Sequence, residues 1–376
     1  MATAAAHTRS AGKPLTGKPD RLLSRRALLA ASVAAAAMGQ HRGKAQSDTE
    51  AVLQGMTLRQ QIARMFIFPI SGPVLTLEEA TWLTELQPGG VILVERNFGS
   101  ADEVRALTSN IHSAVPELPP LVSLDQEGGL VTRLWDDPAP DAPTLGTLSL
   151  DEISSYAWLR AELLASYGFD LNFAPVADVA FTPDSFMTGR TFGSDPVLVA
   201  EQVVAYLDGA RDTGVLHCVK HFPGHGRVSV DSHQSLPVLD VDPETWVAAD
   251  ALPFAAAIAD GVPMVMLGHL AVPMWDDLPA SISPVAVEML RENLGFDGVI
   301  VTDDLFMGAL SAWQPMDVVD LAIAAGVDLL LYVDLPDAPD VLVDHVARRV
   351  AMGEISEKRI AESARRVISM QLAARR

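Results

Sequence analysis

The chain has 376 residues, 49 % hydrophobic and 20 % charged, enough to bury one large α/β core or two small ones. Its formal net charge of −21 argues against nucleic acid and anionic membranes as partners. The single cysteine, Cys218, excludes an internal disulfide and sits in an apolar run, as a buried inert thiol would.

In chain order, the first feature is Arg21-Leu22-Leu23-Ser24-Arg25-Arg26, followed by an apolar run from Ala27 to Met38. A basic segment, a short apolar stretch and small residues after it mark a signal peptide. The Ser-Arg-Arg-x-Leu-Leu pattern resembles a twin-arginine export signal. The run is too short for a permanent membrane helix, and no cysteine follows it to carry a lipid. Residues 1–45 are therefore expected to be a leader, cleaved near Ala45. The product would be periplasmic or extracellular without a membrane anchor; a cytoplasmic protein is the lesser alternative.

From residue 50 onward strand-like and helix-like segments alternate. Apolar, β-branched runs at Met65 to Ile70, Gly90 to Val94, Pro120 to Leu124, Leu171 to Val179, Val215 to Val219, Val262 to Leu267, Gly298 to Thr302 and Val327 to Val333 suit strands buried on both faces. Ser100-x-x-Glu103 is a capping box before Val104 to His112, and Ser283-Pro284 places a cap and then proline at the start of a helix. Gly214, Gly261, Gly295 and Gly326 each end a helical stretch before a strand. Eight strand–helix units over residues 50–376 predict a single domain of the (β/α)₈ TIM-barrel type. A doubly wound open sheet is the alternative, weakened because no Gly-x-Gly-x-x-Gly follows the first strand.

Polar groups follow the strands: Asp125-Gln126-Glu127-Gly128-Gly129 and Arg133 after the third, Arg190 after the fourth, Lys220 and His221 at the end of the fifth, His269 after the sixth, Asp303 and Asp304 after the seventh. In a barrel these strand ends share the catalytic face. The densest cluster is Lys220-His221-Phe222-Pro223-Gly224-His225-Gly226, continuing to Asp231-Ser232-His233. Pro223 and Gly224 place its histidines on irregular backbone, which argues against a helical zinc site at His221 and His225. A carboxylate two residues before an imidazole can hold one ring nitrogen and leave the other for substrate.

This motif resembles the signature of glycoside hydrolase family 3, in the β-N-acetylglucosaminidase branch that uses histidine where glycosidases usually use a carboxylic acid. The resemblance implies a retaining exo-β-N-acetylglucosaminidase acting on muropeptides or chitin oligosaccharides, a carbohydrate-binding monomer that needs no metal or organic cofactor. Val301-Thr302-Asp303-Asp304-Leu305-Phe306-Met307 is similar to the family's nucleophile segment, with Asp303 as the nucleophile. Asp231 and His233 match the acid/base dyad, and Asp125, Arg133, Arg190, Lys220 and His221 match residues that hold the sugar. Leu130 departs from the pattern, standing where the family often has arginine. Two other readings stay open: a β-glycosidase or phosphorylase of different sugar specificity, and a non-catalytic exported sugar-binding protein. Plainer roles also exist for single residues: a helix cap for Asp303 or Asp304, ion pairs for Arg133 and Arg190, loop shaping for His225, core packing for His269 and His217.

Overall fold

The structure, a computed structural model, describes residues 39–374. The export segment from Arg21 to Met38 lies outside the described residues. Eight parallel strands form one sheet: β1 (Phe66–Pro69), β2 (Gly90–Ile92), β3 (Leu121–Leu124), β4 (Leu171–Asn172), β5 (Leu216–Phe222), β6 (Met264–Leu267), β7 (Val299–Thr302) and β8 (Leu330–Leu331). The neighbour order runs from β7 down to β1 and then to β8. The ring is joined between β7 and β8 by a parallel bridge, Val301 to Leu329, with the Thr302 N–H donating to Leu329 O at 3.0 Å and the Leu329 N–H to Ile300 O at 3.1 Å. The sheet is thus the (β/α)₈ barrel and not the open doubly wound alternative.

Side-chain alternation separates two cores. Ile67, Ile92, Leu121, Leu171, Cys218, Met264, Met266, Val299, Val301 and Leu331 come from all eight strands and pack together in the barrel interior. Their neighbours Phe66, Val265, Leu267, Ile300 and Leu330 pack outward against the helices. Cys218 is fully buried there, and burial pushes its thiol well above the ordinary range.

Two strands are much shorter than their apolar runs, each for a visible reason. After β4 the chain stays extended beside β5, with the Ala177 N–H donating to Lys220 O at 2.7 Å, but Pro175 has no N–H for a regular ladder. Around β8, side chains replace ladder bonds: the Ile300 N–H donates to Asp328 Oδ2 at 3.0 Å and the Leu331 N–H to Thr302 Oγ1 at 3.0 Å. Helix punctuation follows the sequence closely. Ser100 caps Ala101–Ala114 with a complete capping box, and Ser283 caps Pro284–Glu288. Gly214, Gly261, Gly295 and Gly326 all have positive φ. Among the described residues no helix is long and apolar enough to cross a membrane.

Candidate active site

The C-terminal ends of β3, β4 and β5 interlock through buried charges. Asp125 and Glu127 follow β3, Lys220 ends β5, and Arg190 lies in the loop after β4. The Lys220 ammonium donates to Asp125 Oδ1 at 2.5 Å and lies 2.7 Å from Glu127 Oε1. Arg190 grips the same Glu127 with two bonds, Nε to Oε2 at 2.9 Å and Nη2 to Oε1 at 2.7 Å. Burial opposes the charge on Glu127, yet Lys220 and Arg190 together hold its carboxyl far below the usual range. Burial likewise opposes the charge on Lys220, and the two carboxylates overcome it, so the amine stays cationic. Buried Arg160 supports this arrangement from below, donating to Glu127 O at 2.9 Å and pairing with Asp137 at 2.6 Å.

A second cluster centres on Asp178, in the extended run after β4 and fully buried. Its carboxylate accepts the backbone N–H of His221 at 3.2 Å, His221 Nδ1–H at 2.7 Å and the His225 N–H at 2.6 Å. Burial raises its pKa, but His221 and His225 outweigh that, so it is held below the ordinary value. A carboxylate at Nδ1 leaves His221 Nε2 as the ring nitrogen free to face a ligand. His225 is buried, and neither ring nitrogen has a hydrogen-bond partner among the described residues. Burial lowers its pKa to about 4, so the ring is neutral.

At the end of β7 two adjacent aspartates differ in chemistry. The Asp303 N–H donates to Leu267 O at 2.9 Å, and its Oδ1 accepts the Asp304 N–H at 2.8 Å. Burial works against its charge, but His221, His269, the Asp304 N–H and Lys220 hold its pKa down to about 2. Asp304 instead binds backbone: its Oδ1 accepts the N–H groups of Phe306 at 3.1 Å and Val333 at 3.0 Å. Burial, with Asp303 adding, pushes its pKa up to about 7. His269 secures this turn from β6. Its Nε2–H donates to Asp304 O at 2.8 Å, and Nδ1 meets Ser281 Oγ at 2.7 Å. Since a carbonyl can only accept, Nε2 carries a proton; burial lowers the ring's pKa.

The Asp231–His233 pair lies on the loop after β5. Asp231 Oδ1 accepts His233 Nδ1–H at 2.8 Å and the His233 N–H at 2.9 Å. Burial raises the Asp231 pKa, but these bonds outweigh it and keep the carboxylate ionised. The imidazole is 62 % exposed with Nε2 unengaged by Asp231. The loop backbone is joined to the segment after Asp303: Gly308 N–H donates to His233 O and Ala309 N–H to Ser232 O, both at 3.1 Å. Gly308 is needed for that approach, since a Cβ there would lie 2.6 Å from His233 O. Gly226 serves for close packing, since a Cβ there would lie 1.9 Å from Val179 O.

Asp125, Arg190, Lys220, His221 and Asp303 thus converge at neighbouring strand ends, with the Asp231–His233 loop held to the segment that follows β7. Arg133 instead pairs with Glu95, after β2, at 2.8 Å. Two further residues organise the site: Glu127, which the sequence reading held only as the next candidate for the acid should His233 merely bind substrate, and Asp178, to which it assigned no role. The signal for Asp178 was a lone carboxylate in the apolar run Val176-Ala177-Asp178-Val179. Among the described residues no group of three or more His, Cys, Asp or Glu side chains is placed to hold a metal ion.

A parallel barrel that gathers buried ion pairs, an ionised aspartate and a carboxylate-held imidazole at the C-terminal ends of its strands has the layout of a barrel enzyme's active face. The family model described as Glycosyl hydrolase family 3 N terminal domain matches residues 57–370, and the chain belongs to that family. It is 35 % identical over 290 residues to a Beta-hexosaminidase of Bordetella avium, covering 74 % of this chain and 83 % of that protein. It is 36 % identical over 295 residues to a Beta-hexosaminidase of Alkalilimnicola ehrlichii, covering 74 % and 82 %. Its fold matches a glycoside hydrolase family 3 beta-N-acetylglucosaminidase from Paenibacillus with a TM-score of 0.81 and 32 % identity. That match covers 85 % of this chain and 64 % of the Paenibacillus chain, so the present chain spans just under two thirds of it.

Proposed function

We propose that the protein is a retaining exo-β-N-acetylhexosaminidase that releases terminal N-acetylglucosamine from muropeptides or chitin oligosaccharides, and that it is exported. The observation that carries the mechanism is the Asp231–His233 pair, exposed at Nε2 and tied by its backbone to the segment bearing an ionised aspartate. In the first step an Asp303 carboxylate oxygen attacks the anomeric carbon. The bond to the aglycone breaks, its electron pair goes to the leaving oxygen, and that oxygen takes the proton from His233 Nε2. In the second step His233 takes a proton from water as the water oxygen attacks the anomeric carbon and releases Asp303. The ring enters the first step with a proton on each nitrogen, Nδ1–H held by Asp231 and Nε2–H given to the leaving oxygen, and it regains the Nε2 proton from water in the second.

Asp125, Arg190, Lys220 and His221 would hold the sugar. Lys220 spends two of its three donors on Asp125 and Glu127, leaving one for a hydroxyl. Glu127, bound by two cations, is unsuited to act as the acid. The curated relatives' names support the hexosaminidase specificity, and the basic-apolar segment before residue 45 supports export.

The test is turnover of a chromogenic N-acetylglucosaminide against the matching glucoside, with and without phosphate, followed by trapping of the glycosyl adduct. The expected result is hydrolysis of the first substrate, independent of phosphate, with the label on Asp303. Label on Asp304, or turnover that requires phosphate, would refute the nucleophile or the hydrolase reading respectively. Export is checked by N-terminal sequencing of the protein from its host, with a start near Gln46 expected.

A further inference from the structure

The hydrogen bond from His233 Nδ1–H to Asp231 fixes one atom of the ring but leaves the ring free to swing about that bond. An imidazole that must deliver a proton to one oxygen needs a second contact to set its plane. Phe186, in the loop after β4, supplies one: its ring centroid lies 6.3 Å from that of His233, with the planes 59° apart. Phe186 is itself half-buried and held. Its N–H donates to Val228 O at 2.9 Å, and its ring lies 5.5 Å from that of His225, which lies 6.1 Å from that of His221. The neutral, buried His225 therefore backs Phe186, and the Asp178 carboxylate fixes the His225 backbone at 2.6 Å.

We propose that Phe186 is a positioning residue that holds the exposed His233 imidazole in the plane from which it protonates the leaving group. The inference rests on the acid/base role proposed above. Nothing local in Pro183-Asp184-Ser185-Phe186-Met187 signals this role. It arises only because the loops after β4 and β5 meet.

The test measures kcat/KM for an N-acetylglucosamine disaccharide, whose leaving group needs a proton, and for a nitrophenyl N-acetylglucosaminide, whose leaving group does not. Wild type, Phe186→Ala, Phe186→Tyr, His233→Ala and the Phe186→Ala/His233→Ala double variant are compared. The disaccharide-to-aryl ratio is read on one preparation, so it does not depend on the fraction folded. An aromatic contact of this geometry corresponds to about a 3- to 10-fold effect. Phe186→Ala should lower the ratio by that factor, Phe186→Tyr should restore it, and Phe186→Ala should add no further loss of ratio once His233 is alanine. Equal losses for both substrates in Phe186→Ala, with the ratio reduced in His233→Ala, would overturn the role of Phe186 alone. An unchanged ratio in His233→Ala would overturn the acid/base reading and this inference with it.

Discussion

Asp303 and Asp304 are chemically identical neighbours, and replacing each by asparagine should change stability in opposite directions. Asp304→Asn keeps an oxygen that can accept the N–H groups of Phe306 and Val333 but removes a charge that burial disfavours. The folded pKa is raised from 3.8 to about 7. A raised folded pKa gives a stabilising contribution that is complete below the unfolded value and lost as pH rises through the folded one. Wild type therefore carries a penalty above pH 7, at most about 4 kcal/mol and less where solvent relaxes it. Asp304→Asn should gain on wild type by about 1 to 4 kcal/mol between pH 4 and pH 8. For Asp303 the sign reverses. Its pKa falls from 3.8 to about 2, so its charge stabilises above the unfolded value, and the contribution disappears as pH falls through the folded one. Asp303→Asn should cost about 1 to 2 kcal/mol at pH 7 and eliminate turnover. Urea unfolding midpoints from pH 4 to pH 8 read both effects. A difference between Asp304→Asn and wild type that does not change with pH would refute the reasoning, as would a stabilising Asp303→Asn.

Glu127→Gln leaves Lys220 and Arg190 buried without their shared carboxylate; it should cost about 3 to 5 kcal/mol at pH 7 and raise KM, measured by denaturant titration and steady-state kinetics. Because the Glu127 pKa is depressed, that cost should shrink as pH falls below the unfolded glutamate value of 4.5. Asp178→Asn weakens the hold on His221 Nδ1 and on the His225 backbone, so kcat/KM should fall by at least about 10-fold, a bound typical of losing a charge-assisted hydrogen bond; unchanged kinetics would remove Asp178 from the site. A chain starting at Gln46 retains Leu53, which packs with Leu118, Ala364 and Ile368. It should fold and turn over substrate as the full chain does, and loss of its circular dichroism signal would show the leader to be structural.

The barrel was legible because its strands are continuous apolar runs punctuated by caps and glycines. β1, β2, β3, β6 and β7 fall inside the expected runs. The runs around β4 and β8 overstate the ladder, since hydrophobicity cannot show that Pro175 lacks a donor or that Asp328 and Thr302 accept in place of backbone. In the site, the residues close in sequence were easiest to see: Lys220, His221, Asp231 and His233 share one loop. Glu127 and Asp178 were not seen as organisers, because what they do depends on the ends of β3, β4 and β5 meeting. Arg133 was grouped with the sugar-holding residues by the family resemblance, and in the structure its Nη1 pairs with Glu95 at 2.8 Å.

The two halves of the site are built differently, and the proposed chemistry explains the contrast. The groups assigned to hold the sugar are locked by buried charge: Lys220 between two carboxylates, Arg190 bidentate on Glu127, His221 on Asp178. In a buried setting such contacts are strong and directional, so these donors keep one geometry while the anomeric carbon moves between the leaving oxygen, Asp303 and water. The acid/base cannot be locked in the same way. It must meet the aglycone oxygen in one step and a water in the next, and both reach it from outside. That requirement fits a half-open imidazole held by one carboxylate. It also fits the choice of imidazole. Of the ordinary side chains, imidazole is the one suited both to donate and then to accept a proton near neutral pH. The exposure of His233 and its being a histidine are, on this mechanism, consequences of the same demand.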